Sequence, residues 1–122
     1  QNRSFVEYRS KELGVENKIS VFRDLENTSD VIFDSIVCLD VLEHLPDPAK
    51  QLKIFLEKLS PKGIALMNWY FYKGKHGEYP FHFDDPGLIE NFFTTLQLNY
   101  LEVFHPFLIT TRAYKPLKNK LD

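Results

Sequence analysis

A chain of 122 residues, 43% hydrophobic and 26% charged, has the length of one domain and the balance of a folded protein, not of a disordered one. A net charge of −2 supplies no basic field for nucleic acid or an acidic membrane, and no apolar run approaches the roughly 18–20 residues of a membrane span. The single cysteine, Cys38, excludes an internal disulfide and any multi-cysteine zinc site, so a reducing, cytoplasmic setting is expected.

The chain opens Gln1-Asn2-Arg3-Ser4 without an initiator Met, and is read as a piece of a longer chain, with a processed N-terminus as the alternative. Residues 4–13 place Phe5, Val6, Arg9 and Leu13 near one helical face, with Ser4 as a possible cap and Gly14 as the stop. Lys18 to Phe22 alternates with period two and predicts a strand. Asp24 to Asp30 has loop chemistry. Ile32 to Leu39 is mostly apolar and predicts a strand buried on both faces, as in a parallel sheet.

Asp40-Val41-Leu42-Glu43-His44-Leu45 follows, then Pro46-Asp47-Pro48. Pro48 suits a first helical turn with Asp47 as cap, and Leu52, Phe55, Leu56 and Leu59 form one apolar stripe over 49–59. Ser60-Pro61-Lys62-Gly63 turns into a strand from Ile64 to Tyr70. Residues 71–85 form a long loop rich in aromatic side chains, and loops of that length are commonly functional. Asp85-Pro86 starts a helix with Leu88, Ile89, Phe92, Phe93 and Leu96 inward. Two strands, 98–104 and 107–114, are expected as a hairpin tightly linked at His105-Pro106, and 115–122 as a frayed basic tail. Aromatic residues make up 15% of the chain, so a ring-rich core or pocket is expected.

Strands alternating with helices predict an α/β domain with a mostly parallel sheet covered on both faces, and the closing pair predicts one antiparallel strand near the C-terminal end. The stretch Phe33-Asp34-Ser35-Ile36-Val37-Cys38-Leu39-Asp40-Val41-Leu42-Glu43-His44-Leu45-Pro46, with Leu59-Ser60-Pro61-Lys62-Gly63 after it, resembles the second half of the class I S-adenosylmethionine-dependent methyltransferases. The turn reads Pro-Lys-Gly where the family has Pro-Gly-Gly, a small departure. Glu78-Tyr79-Pro80-Phe81-His82-Phe83 and the closing strands are similar to the small-molecule branch of that family. The similarity spans residues 4–114.

The resemblance implies a Rossmann-like three-layer sandwich with its N-terminal strands missing. The family's glycine-rich loop and its ribose-binding acid have no counterpart in these 122 residues. One wall of the cofactor pocket is therefore expected to be absent, and binding by this stretch alone to be weak. The implied function is methyl transfer from S-adenosylmethionine to a small-molecule acceptor. A non-catalytic scaffold, oligomerising through an exposed sheet edge, is the alternative. A metal-assisted RNA 2′-O-methyltransferase is a third reading, disfavoured by the net charge.

By that resemblance Asp24 and the Leu25 amide face the adenine, while Cys38, Leu39 and Asp40 end the strand that meets the methionine portion. Cys38 also reads as a small buried hydrophobe, and Asp24 as a helix cap or solvated loop acid. Trp69, Tyr79 and His82 are the expected substrate wall, with Tyr70 and Phe81 nearby; a cluster that merely packs on the sheet is the competing reading. Asp40 and His44 are assigned as catalytic, and no residue is assigned to a metal. Three readings stay open for the Asp40, Glu43, His44 group: a base or orienting group near the methyl, part of a divalent metal site, or structure alone. Acid-x-x-Glu-His occurs in ubiquinone-biosynthesis and small-RNA methyltransferases, and Glu-His also in metal-free relatives. His76, His105 and the Lys115, Lys118, Lys120 cluster are expected to be solvated or packing residues.

Overall fold

The computed structural model describes residues 2–28, 30–108 and 110–117. They divide between two compact units, Gln1–Asp30 and Val31–Asp122.

In the first unit, helix α1 spans Asn2–Glu12. It begins two residues before Ser4 and stops where expected: Gly14 adopts φ 71, a backbone that glycine takes without a Cβ penalty, and its N–H closes onto the Lys11 carbonyl. The stripe read from the sequence stays wet, with Phe5 and Leu13 both exposed. Glu16–Lys18 is a single 3₁₀ turn and 19–22 forms no ladder, so the strand predicted over Lys18–Phe22 is not formed. Ile19 does have extended dihedrals. Period-two alternation selects the backbone conformation, but a strand also needs a hydrogen-bonding neighbour, and none pairs with this segment among the described residues. A 3₁₀ turn at Leu25–Thr28 follows.

The second unit is built on four strands: β1 (Phe33–Cys38), β2 (Leu59–Met67), β3 (Tyr100–Val103) and β4 (Arg112–Pro116), in the order β1-β2-β4-β3. β1 and β2 are parallel, while β4 runs antiparallel to both β2 and β3. One strand thus opposes the other three, as expected near the C-terminal end. Helix α2 (Pro48–Lys58) connects the parallel pair, and α3 (Pro86–Asn99) lies beside it. Asp47 caps α2, accepting from the Lys50 N–H at 3.2 Å, with Pro48 in the first turn.

Ala65 and Met67 of β2 are buried with Leu52, Phe55, Phe92 and Leu96 of the helices, whereas Ile64 and Leu66 are only half-buried. Within this unit the helix pair therefore covers one face of the sheet. β1 does not have the two buried faces predicted for it. Among the described residues it is an edge strand, and Val37 is 62% exposed.

Two boundaries moved. Residues 60–63 are not a free turn but a bulge inside β2: the β1–β2 register jumps from Phe33↔Leu59 to Ser35↔Ile64. A Cβ on Gly63 would stand 2.6 Å from Leu59 Cδ1 and 2.9 Å from the Asp34 carbonyl oxygen, so the bulge admits only glycine without rearrangement. The tight closing hairpin is also replaced. Helix α3 runs on through Asn99, the link occupies 104–111, and Lys115 and Pro116 belong to β4 and not to a frayed tail. Residues 118–122, with Lys118 and Lys120, lie outside the described residues. No helix among the described residues is long and apolar enough to cross a membrane.

Candidate functional site

The carboxyl ends of neighbouring parallel strands are where an open α/β sheet offers its crevice. Here the two tips are tied to one another. The Asp40 N–H donates to Asn68 Oδ1 at 2.6 Å, Asn68 Nδ2 donates to Asp40 Oδ1 at 3.2 Å, and the Asn68 N–H donates to the Cys38 carbonyl at 3.3 Å. Asp40 adopts φ 58, a left-handed conformation that Asp tolerates better than most residues. The sharp change of direction lets the chain leave β1 and enter the 3₁₀ turn Leu42–His44. The Asp40 carboxylate is exposed at the strand tip, and Asn68 is its hydrogen-bond partner there.

The turn divides two neighbouring residues between interior and solvent. Glu43 is 2% exposed, and His44 is exposed. Burying a carboxylate is costly unless its oxygens are satisfied. Glu43 Oε1 accepts from the Tyr70 N–H at 2.9 Å, and Oε2 lies 3.6 Å from His44 Nε2. The Glu43 backbone carbonyl accepts from Phe83 N–H at 2.8 Å. Glu43 thus fastens both ends of the aromatic loop. Its negative charge, secondary to burial itself, holds the Cys38 thiol up at about 11. Cys38 is therefore a protonated core residue, as its hydrophobe reading has it.

The loop brings its rings over the same turn. His44 and His82 meet edge-on at 4.6 Å, His82 stacks on Tyr79 at 5.0 Å, and Tyr70 touches Tyr79 at 5.5 Å. Both histidines are anchored through Nδ1, His44 at 3.2 Å from the Phe81 carbonyl and His82 at 3.0 Å from the Tyr72 carbonyl. Trp69 packs on Phe92 and Phe93 of α3 at 5.1 and 5.6 Å and also lines the cleft. The Phe81 ring is 82% exposed, and only its carbonyl serves the site.

The cleft so formed has a volume of about 460 Å³ and is lined by Asp40, Glu43, His44, Asn68, Trp69, Tyr70, Tyr79, His82 and Thr110. The expected residues Asp40, His44, Trp69, Tyr79 and His82 are brought together in it. Asp24 and Leu25 lie in the first unit, where Asp24 caps its turn, accepting from the Asn27 N–H and side-chain amide, each at 3.0 Å. His76 and His105 are exposed, as read.

A family model described as a methyltransferase domain matches residues 2–99. The chain belongs to that family. The class I resemblance drawn from residues 33–63 falls inside the match, and the four-stranded α/β sheet is compatible with it. No curated protein matches the chain.

Of the residues lining the methyltransferase cleft, Asn68 and Thr110 are not among the candidates the sequence offers, and Glu43 is a candidate there only for a role beside the methyl, at a metal or in structure. Asn68 falls inside the strand that the sequence predicts over Ile64–Tyr70. Its signal is positional: a polar residue just beyond the end of a strand expected to lie parallel to β1. Glu43 as the loop anchor had no such signal, because neither its burial nor its bond to Tyr70 can be read from spacing.

Proposed function

We propose that this domain transfers a methyl group from S-adenosylmethionine to a small-molecule acceptor, and that the acceptor occupies the cleft at the ends of β1 and β2. The observation that carries this reading is the junction of an acid, an imidazole and aromatic walls at the tips of parallel strands.

The residues present suit one end of the cofactor. Its amino-acid portion ends in an ammonium, which needs acceptors, and Asp40 offers a carboxylate exposed at the strand tip. Asp24 keeps lone pairs beyond those given to Asn27 and can accept from an adenine amino group. No glycine-rich turn for the rest of the adenosine portion occurs in the 122 residues. When bound, the cofactor supplies a methyl on a positively charged sulfur, already a good leaving group.

The protein's task is then alignment and proton handling. Tyr70, Tyr79 and Trp69 exclude water and favour a flat or apolar acceptor. His44 donates its Nδ1 hydrogen to the Phe81 carbonyl, which leaves Nε2 with a lone pair in the neutral ring. That nitrogen faces the cleft next to Glu43 and takes the acceptor's proton as the new bond forms.

Label transfer from S-adenosylmethionine, supplied at about 1 mM to match weak binding, to a panel of hydroxyl- and amine-bearing aromatic acceptors tests the reading. A labelled product is expected, with His44→Ala lowering kcat by about 10²–10⁴ and Tyr79→Ala acting mainly on KM. No labelled product from any acceptor, together with no donor-dependent change in Trp69 fluorescence, refutes it.

A further inference from the structure

We propose that the acceptor enters this cleft as a cation, a primary ammonium carried on an aromatic or apolar body. The inference rests on the methyl-transfer reading and names the substrate class of the same site. Its first support is charge. Asp40 and Glu43 line the cleft, and among the described residues that line it none is Lys or Arg, although the chain carries 15 of these. Glu43 is a buried acid, and a buried carboxylate calls for a countercharge. Its Oε1 accepts from the uncharged Tyr70 N–H, and Oε2 faces His44 Nε2, which as a base is a neutral acceptor. Asp40, at the strand tip, is left to the cofactor's amino-acid end. The positive partner of Glu43 therefore arrives with the acceptor.

The second support is the arrangement of the rings. Tyr70 meets Tyr79 at 5.5 Å and 81°, and His82 at 5.9 Å and 87°, while Tyr79 and His82 lie nearly parallel, at 11°. One ring thus stands upright to the other two, which makes an aromatic corner beside Glu43. The face of such a ring is the negative side of its quadrupole and attracts a cation within about 6 Å. Tyr70 and Tyr79 are both exposed, so neither ring is spent in the core. An anionic acceptor would meet two carboxylates and these faces, and a neutral hydroxyl would leave Glu43 without a countercharge.

The same pose feeds the base. Glu43 Oε2 and His44 Nε2 are 3.6 Å apart, close enough for one ammonium nitrogen to donate to both at about 2.8 Å. The proton on the second bond passes to Nε2, and the pair that held it stays on the amine nitrogen as the lone pair that takes the methyl. Glu43 then faces an imidazolium, and Nε2 keeps the one role already given to it.

Three probes with similar bodies and different head groups test this without turnover: phenethylamine, phenethyl alcohol and phenylpropionate, each at neutral pH. Binding to the wild-type chain is read from Trp69, its one tryptophan, and from the ring resonances of His44 and His82. The ammonium should bind at least about tenfold tighter than the alcohol, and the carboxylate most weakly. Glu43→Gln, which keeps an acceptor for the Tyr70 N–H, should abolish the preference and leave the alcohol's affinity unchanged; Asp40→Asn should retain the preference. The wild-type order decides the matter even if a variant fails to fold. The alcohol binding as tightly as the ammonium, the carboxylate binding more tightly, a preference that follows Asp40 and not Glu43, or no saturable binding of any probe up to about 10 mM each overturns the proposal. Label transfer to hydroxyl-bearing acceptors without an ammonium preference would sink this inference and leave the methyl-transfer reading standing. An ammonium preference without label transfer to any acceptor would sink that reading and leave a cation-binding cleft.

Discussion

At the scale of single residues, the strongest constraints sit where the backbone is crowded or a polar group is buried. Gly63 has no room for a methyl group, because the Asp34 carbonyl cannot retreat without breaking the β1–β2 register. Gly63→Ala should cost about 1–3 kcal/mol in urea unfolding. Cys38 gives a prediction in pH. Burial, and secondarily Glu43, raises its thiol from 9.0 to about 11, so the folded state holds the proton longer than the unfolded chain does. The stabilisation is complete below pH 9 and is lost as pH rises through 11. Cys38→Ala should therefore show a shallower fall in stability over that window. Tyr100 and Tyr114, both also raised chiefly by burial, contribute equally to wild type and variant. In the native protein at pH 8, a thiol reagent should react with Cys38 only as fast as the chain opens.

At the scale of elements, α2 is the most self-specified piece. Its cap, its first-turn proline and its apolar stripe are all legible in the sequence, because each is a local signal. Asp47→Ala should cost about 1 kcal/mol, read from a thermal or urea midpoint. The segments that misled share one feature: their state depends on neighbours that spacing does not reveal. Lys18–Phe22 has strand periodicity but no ladder to join, and Ile32–Leu39 has the composition of a central strand but lies at an edge. The Leu98–Phe104 run reads as a strand throughout, yet α3 holds its first two residues, with Asn99 Nδ2 bonded to the Thr95 carbonyl at 2.8 Å. The site followed the same rule. Asp40, His44, Trp69, Tyr79 and His82 could be named from family spacing. The bonds from Asn68 and Glu43 that hold them together cross 27 or 28 positions and have no local trace.

At the scale of the molecule, the methyltransferase assignment rests on a match across residues 2–99, while the glycine-rich turn of that family is not among the 122 residues. Calorimetric titration of this chain with S-adenosylmethionine should accordingly show a Kd well above the low micromolar range, since the contacts available here reach only part of the cofactor. Tighter binding would mean that the strand tips and Asp24 suffice without a backbone cradle.

Glu43 has one more effect, which follows from its two attachments. Its side chain grips Tyr70 and its carbonyl grips Phe83, while the neighbouring His44 Nδ1 lies 3.2 Å from the Phe81 carbonyl, so the stretch between is a hoop clipped to one short turn at the strand tip. Only the Tyr70 attachment uses the carboxylate, and the Phe83 attachment is backbone to backbone, so Glu43→Gln leaves the second in place. The short turn that presents His44 to the cleft is therefore also the turn that fastens the aromatic loop.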